Sequence, residues 1–176
     1  VREVPFLYSP RIYGVSNARI FAFGLAYLKT FLPLWFLRNS IQSADYDARA
    51  YDSIIPPQRY WQRARFRHIT DLIKNCGPVL DVGCGSSRII EALPDGSICV
   101  DIMPHKLRYD KRYDKILIQA SGNLLPFADS TFHCVLCSQV IEHIAENSPI
   151  LQELNRVLKP GGRLVIGTPD YSRWEW

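Results

Sequence analysis

From residue 59 onward, apolar and polar positions switch repeatedly between two periods. Trp61, Phe66, Ile69, Leu72 and Ile73 fall near helical spacing, which predicts a helix from Arg59 to Lys74 stopped by Gly77-Pro78. The short apolar run Val79–Val82 then predicts a strand, followed by a glycine-rich turn and a helix from about Ser87 to Leu93. Further strands are expected at Ile98–Val100, Ile116–Gln119, Phe132–Ser138 and Arg163–Thr168. Helical stretches are expected at Val140–Ala145 and Pro149–Leu158, the second ended by Lys159-Pro-Gly-Gly162. Strands alternating with helices imply right-handed crossovers and a parallel sheet. Apolar runs without strict alternation suit strands covered on both faces. The expected fold is α/β, doubly wound, with a mostly parallel sheet.

The first 58 residues follow another pattern. Residues 1–18 mix two prolines, a glycine and a short apolar start. Ile20–Leu37 is mostly apolar, flanked by Arg19 and Arg38 and interrupted by Lys29 and Pro33. Three readings fit it: an interfacial helix with Arg19, Lys29 and Arg38 at headgroup level, a helix packed on another domain, or a membrane span. It lacks the cleavage site of a signal peptide. The polar stretch ending in Pro56-Pro57 reads as a linker. The expected division is 1–40, a linker over 41–58, and a main domain over 59–176.

Composition narrows the class. With 176 residues, 47% of them hydrophobic, and a net charge of +4, the chain can bury one ordinary core, which excludes disorder as its dominant state. No collagen or coiled-coil period runs through it. Residues 1–75 carry 11 Lys and Arg against 5 Asp and Glu, whereas residues 76–176 carry 10 against 12. The basic residues flank apolar stretches rather than forming a run, so anionic lipid is the expected partner of the N-terminal part and no nucleic acid is expected. Five cysteines without a secretory signal argue for a reducing, cytoplasmic location, at the cytoplasmic face of a membrane if the 20–37 helix contacts lipid. Cys134-Val-Leu-Cys137 lies inside a predicted strand and reads as buried structural thiols; no metal site is expected.

The strongest chemical signal is Asp81-Val-Gly83-Cys84-Gly85-Ser-Ser87-Arg88. A strand ends beside a carboxylate, two glycines let the backbone turn tightly and approach a ligand, and a helix begins. Asp101 ends the next strand, where a carboxylate can hold both hydroxyls of a ribose. A dinucleotide fingerprint needs a third glycine, and Arg88 stands in that place, which disfavours a nicotinamide cofactor. An acid before the first glycine instead suits a ligand carrying an ammonium group, such as S-adenosylmethionine (SAM).

Four segments in order resemble class I SAM-dependent methyltransferases, closest to the subgroup called type 11. They are Asp81–Gly85, Val100-Asp101-Ile102, Asn123–Asp129 with Phe132 and Cys137–His143, and Leu154–Gly162 with Leu164-Val-Ile166. The resemblance implies a Rossmann-like methyltransferase sheet over about 59–170, incomplete at the C-terminus because the final hairpin would lie beyond Trp176. It implies a SAM site at Asp81, Gly83, Cys84, Gly85, Asp101, Ile102, Ser121, Gly122, Asn123, Ser138 and Gln139. Ser121 stands where the family carries an acid for the adenine amino group, and His133 where it usually has Asp. Glu142 and His143, just after the fourth strand, are the candidate catalytic residues, to serve as base if the acceptor atom needs one.

Glu3-Val-Pro-Phe6 and Pro10-Arg11-x-x-Gly14-x-Ser16, followed by an apolar helix, resemble the end of family 2 glycosyltransferases acting on polyprenyl phosphates, with Asn17 in place of the usual Lys. This implies a fusion with a membrane-associated glycosyltransferase. The expected acceptor is accordingly a small molecule, a glycan or a lipid-linked glycan. A non-catalytic SAM-binding or scaffold module and an NAD-dependent oxidoreductase are the alternatives.

Overall fold

The computed structural model describes residues 20–38, 40 and 42–169. The Arg-x-x-Gly-x-Ser segment lies outside them. Two units separate at residues 37 and 38. The described residues of the first fall in one helix, α1 (Ile20–Arg38), whose last residue belongs to the second unit. Its large apolar side chains, Phe21, Phe23, Leu25, Leu28, Phe31 and Phe36 among them, are exposed around the whole circumference, so it lacks the separate polar face of an amphipathic interfacial helix. Pro33 sits inside it, where it cannot donate to Lys29. Among the described residues no helix is long and apolar enough to cross a membrane.

The second unit begins with α2 (Tyr46–Tyr51) and α3 (Pro56–Ile73). The segment expected as a linker thus holds a helix that buries Ala48 and Ala50. Pro56 and Pro57 open α3 rather than close a linker, because a helix's first N–H groups need no internal partner. The alternation then follows: β1 (Leu80–Val82), α4 (Ile89–Ala92), β2 (Ile98–Asp101), α5 (Pro104–Asp110), β3 (Ile116–Gln119), β4 (Phe132–Ser138), α6 (Ile150–Val157) and β5 (Leu158–Gly167). The expected helix at Val140–Ala145 is only a 3₁₀ turn, Ile141–His143. Gly161 takes φ +74, and β5 runs through Lys159-Pro-Gly-Gly162 instead of starting after it.

All strand pairs are parallel, in the order β3-β2-β1-β4-β5. This is the doubly wound, Rossmann-like sheet that the alternation predicts. Chain order reverses between β1 and β4, so a crevice opens above their carboxyl ends. Side chains alternate across the sheet. Val79, Cys99, Cys134 and Leu136 pack with Ile69 and Ile73 of α3, while Leu80, Val82, Val100, Val135 and Cys137 pack with Ile150, Leu154 and Val157 of α6. Cys134 and Cys137 therefore point to opposite faces and cannot share a ligand. Burial pushes both thiols up to about 12, with Cys76 beside the first.

Candidate cofactor and active site

A cavity of about 600 Å³ opens at the switch point, well within the size range of small-molecule sites. Its floor is the turn after β1. Gly83 and Gly85 take φ +73 and +60, conformations a side chain rarely adopts. The amides of Gly83 and Cys84 both donate to Val100 O, at 2.7 and 3.1 Å, which fixes the turn to β2. Asp101 completes the clamp: Oδ2 accepts from the Gly85 amide at 2.8 Å and Oδ1 from the Met103 amide at 2.7 Å. Each carboxylate oxygen retains a lone pair for a ligand.

Of the expected site residues, Gly83, Cys84, Gly85, Asp101, Ile102, Ser121, Gly122, Asn123, Ser138, Gln139, Glu142 and His143 all line this cavity. Asp81 does not. It is buried beneath the turn and acts on the cavity through its field. Burial lifts its carboxyl to about 7, Arg65 pulls it back, and Asp101 adds to the rise. Gln139 follows β4 with φ +62, a strained conformation for a residue with a side chain, held by its amide donating to Gly167 O at 2.7 Å. The strain turns the chain sharply and brings Glu142 and His143 to the cavity wall. Glu142 Oε2 is buried without a partner among the described residues, while His143 is exposed to water.

Sequence reasoning missed two residues here. Arg65 of α3 lines the cavity and donates through Nε to Ser138 Oγ at 3.1 Å. Burial lowers its pKa, against the fields of Asp47, Asp81 and Glu142. Asp47 of α2 rests on the glycine turn: Oδ2 accepts from the Ser86 amide and hydroxyl, both at 3.2 Å, and pairs with Lys106 at 3.3 Å. A carboxylate thus holds an amide that a pyrophosphate would need. Arg88 turns away to Asp52 at 2.8 Å, and α4 is a single short turn. The NAD reading has no anion cradle to rest on. Ile102, 63% exposed at the rim, and the Ser121–Asn123 turn form another part of the cavity wall. The loop after it is fixed by Arg156, which donates to Phe127 O at 2.8 Å and Leu125 O at 3.1 Å while pairing with Glu153 and Asp129.

The buried acids predict a pH dependence. Asp110 is fully buried, both its oxygens lack partners among the described residues, and burial lifts it too to about 7. Asp81 faces Arg65, Asp101, Cys84 and Cys137; Asp110 faces Arg112, Asp101, Asp47 and Asp81. Both carboxyls are raised above their unfolded value of 3.8, so between those limits the folded chain holds more protons than the unfolded one. Stability then falls as pH rises through this window. The opposing Glu153, lowered to about 2, acts only below its unfolded value of 4.5. Thermal melts of the ligand-free chain from about pH 5 to about pH 8 should show a falling Tm. Asp81→Asn and Asp110→Asn should each flatten the slope; a slope unchanged in both would refute the assignment.

The parallel sheet, the glycine turn at its switch point and the acid-ended β2 are those of the Rossmann-like methyltransferase fold. Comparison with known proteins agrees with that fold: residues 80–166 match the family described as methyltransferase domain. The chain is 38% identical over 111 residues to a demethylmenaquinone methyltransferase of Corynebacterium urealyticum, covering 61% of this chain and 47% of the relative. It is 30% identical over 129 residues to a thiol S-methyltransferase of Mus musculus, covering 64% and 53%. A SAM-dependent methyltransferase structure from Archaeoglobus fulgidus superposes with a TM-score of 0.55 over 64% of this chain and 53% of that one, at 24% identity, and so shares the fold. The chain spans about half the length of these relatives.

Proposed function

We propose that this chain supplies the SAM-binding domain of an enzyme that methylates a small, largely apolar acceptor. The observation that carries the reading is the Gly83–Gly85 turn, clamped by Asp101, at the floor of a cavity large enough for a nucleoside and part of a second molecule. Bound SAM supplies a sulfonium-activated methyl group, so the protein's task is placement and exclusion of water. Asp101 is suited to the ribose hydroxyls, and Ile102 with the Ser121–Asn123 turn to the adenine. Ser138 and Gln139 line the methionine end. Arg65 is suited to the α-carboxylate and the field of Asp81 to the ammonium. Glu142, with its unpartnered oxygen, is placed to orient an acceptor or take its proton, and His143 can pass that proton to water.

Mostly apolar walls, among them Trp61, Met103, Val140, Ile144 and Ile150, support an apolar acceptor. The relatives named for a quinone and for thiols support the same class. A lipid-linked glycan acceptor and fusion to a glycosyltransferase rest on the N-terminal resemblance alone, and membrane contact through α1 on its exposed apolar side chains. Titration calorimetry with SAM and S-adenosylhomocysteine should show saturable binding by the full chain. Label transfer from methyl-labelled SAM to a panel of thiols, quinols and lipid-linked glycans then identifies the acceptor. Absence of SAM binding would refute the proposal, and binding without transfer to any acceptor would leave the non-catalytic module.

Arg65→Met tests the methionine end. The affinity for SAM should fall about tenfold or more, as expected for loss of a charge-assisted hydrogen bond. The affinity for decarboxylated SAM should hardly change. Equal losses for both ligands would assign Arg65 to positioning Ser138 instead.

A further inference from the structure

The turn before α3 presents two adjacent aliphatic side chains to solvent, Ile54 93% and Ile55 57% exposed. The turn is built rather than loose: Ser53 Oγ accepts from the Ile55 amide at 3.1 Å and donates to Gln58 Oε1 at 2.6 Å, and Pro56-Pro57 follow. The first turns of α3 then expose Tyr60 and Trp61. Arg59, Arg63 and Arg67, four residues apart, run along the outer face of the same helix, all exposed. Arg63 shares Asp52 with Arg88, and among the described residues Arg59 and Arg67 have no carboxylate within ion-pair reach. Ile54 and Ile55 thus stand at the N-terminal tip of α3, next to the exposed Tyr60 and the row of three arginines.

We propose that the face from Ile54 to Arg67 is a docking surface for an anionic lipid bilayer, with Ile54 and Ile55 entering the acyl region and the three arginines meeting lipid phosphates. The surface joins an aliphatic tip, suited to hydrocarbon, to guanidinium groups that bind lipid phosphates well, with the exposed Tyr60 among them, a residue the interface favours. Single-stranded nucleic acid would use the rings and cations but gives an aliphatic tip nothing to enter. Trp61, in the same turn of α3, lines the cavity, so docking holds the cavity mouth close to the interface, where an apolar acceptor dissolves. That last consequence rests on the proposed transfer reaction; the docking itself does not.

The test uses the full chain, because α1 is apolar in its own right and must stay constant. Co-sedimentation is measured with vesicles of phosphatidylcholine alone and of equal parts phosphatidylcholine and phosphatidylglycerol. The unaltered chain should bind the anionic vesicles more tightly, and added salt should weaken that preference. Arg59→Gln/Arg63→Gln/Arg67→Gln should lower affinity for the anionic vesicles by roughly tenfold to a hundredfold. Ile54→Ser/Ile55→Ser should lower affinity for both vesicle types. Arg108→Gln/Lys111→Gln/Arg112→Gln removes the same charge from the end of α5 and the turn after it and should have little effect. SAM binding retained by the variants shows that they fold. The proposal is overturned if the chain shows no preference for anionic vesicles, if both triple variants lose binding equally, or if a single-stranded RNA oligonucleotide displaces the chain from vesicles at equal phosphate concentration. Failure of SAM binding in the unaltered chain would refute the methyltransferase reading and leave the vesicle result standing.

Discussion

Gly83→Ala should abolish measurable SAM binding and lower the melting temperature, whereas Gly77→Ala should only lower the melting temperature slightly. The two glycines share a backbone conformation, φ +73 and φ +67, and so share the cost of forcing a side chain into the left-handed region, about 1–2 kcal/mol. They differ in what surrounds them. A Cβ at Gly77 meets nothing within 4 Å, whereas a Cβ at Gly83 would overlap Val140 Cγ2. Val140 stands in the strained turn that carries Gln139 and Glu142, so relief must come from moving the cofactor turn or that turn. Overpacking adds about 1–3 kcal/mol. Paired calorimetry and thermal melts check this. If the two variants lose the same stability and Gly83→Ala still binds SAM, the turn is not the tight junction described.

The strands and the glycine turn were legible because each rests on a local pattern. Val79–Val82 and Phe132–Ser138 are apolar runs of strand length, and Asp81 to Gly85 is a contiguous motif. What escaped depends on contacts between distant parts of the chain. Asp47 looks like one acid among polar linker residues, yet its carboxylate rests on Ser86, 39 positions later. Arg65 sits in a helix of many arginines, and only its angle on α3 distinguishes it from exposed Arg63 and Arg67. The helical spacing of its apolar neighbours could have placed it on the inner face. α5 was missed although Pro104 comes three residues after the end of β2, at the first-turn position that proline favours. Pro56-Pro57 was assigned to a linker for want of the same rule. The expected helix after β4 failed because Gln139 takes a positive φ, which no propensity of glutamine forecasts.

Asp101→Asn should lower affinity for SAM on the order of a hundredfold, since it spoils two charge-assisted hydrogen bonds within the protein as well as any made to the ligand. The substitution keeps the shape of the side chain but turns one oxygen into an NH₂ group. Both carboxylate oxygens accept backbone amides, from Gly85 and Met103, so wherever the NH₂ group points, two donors face each other in a buried place. The loss alone would not separate a ligand contact from a loop clamp. The distinction comes from S-adenosylhomocysteine compared with its 2′-deoxy analogue. If Asp101 grips the ribose, the unaltered chain binds the deoxy compound more weakly, and Asp101→Asn binds the two nearly alike. If the deoxy penalty persists in the variant, Asp101 only holds the turn and the ribose is bound elsewhere along the cavity. A variant that binds SAM as tightly as the unaltered chain would refute both roles. It would also remove the clamp from which the cofactor site is built, because Asp101 ties the glycine turn through Gly85 and the start of α5 through Met103.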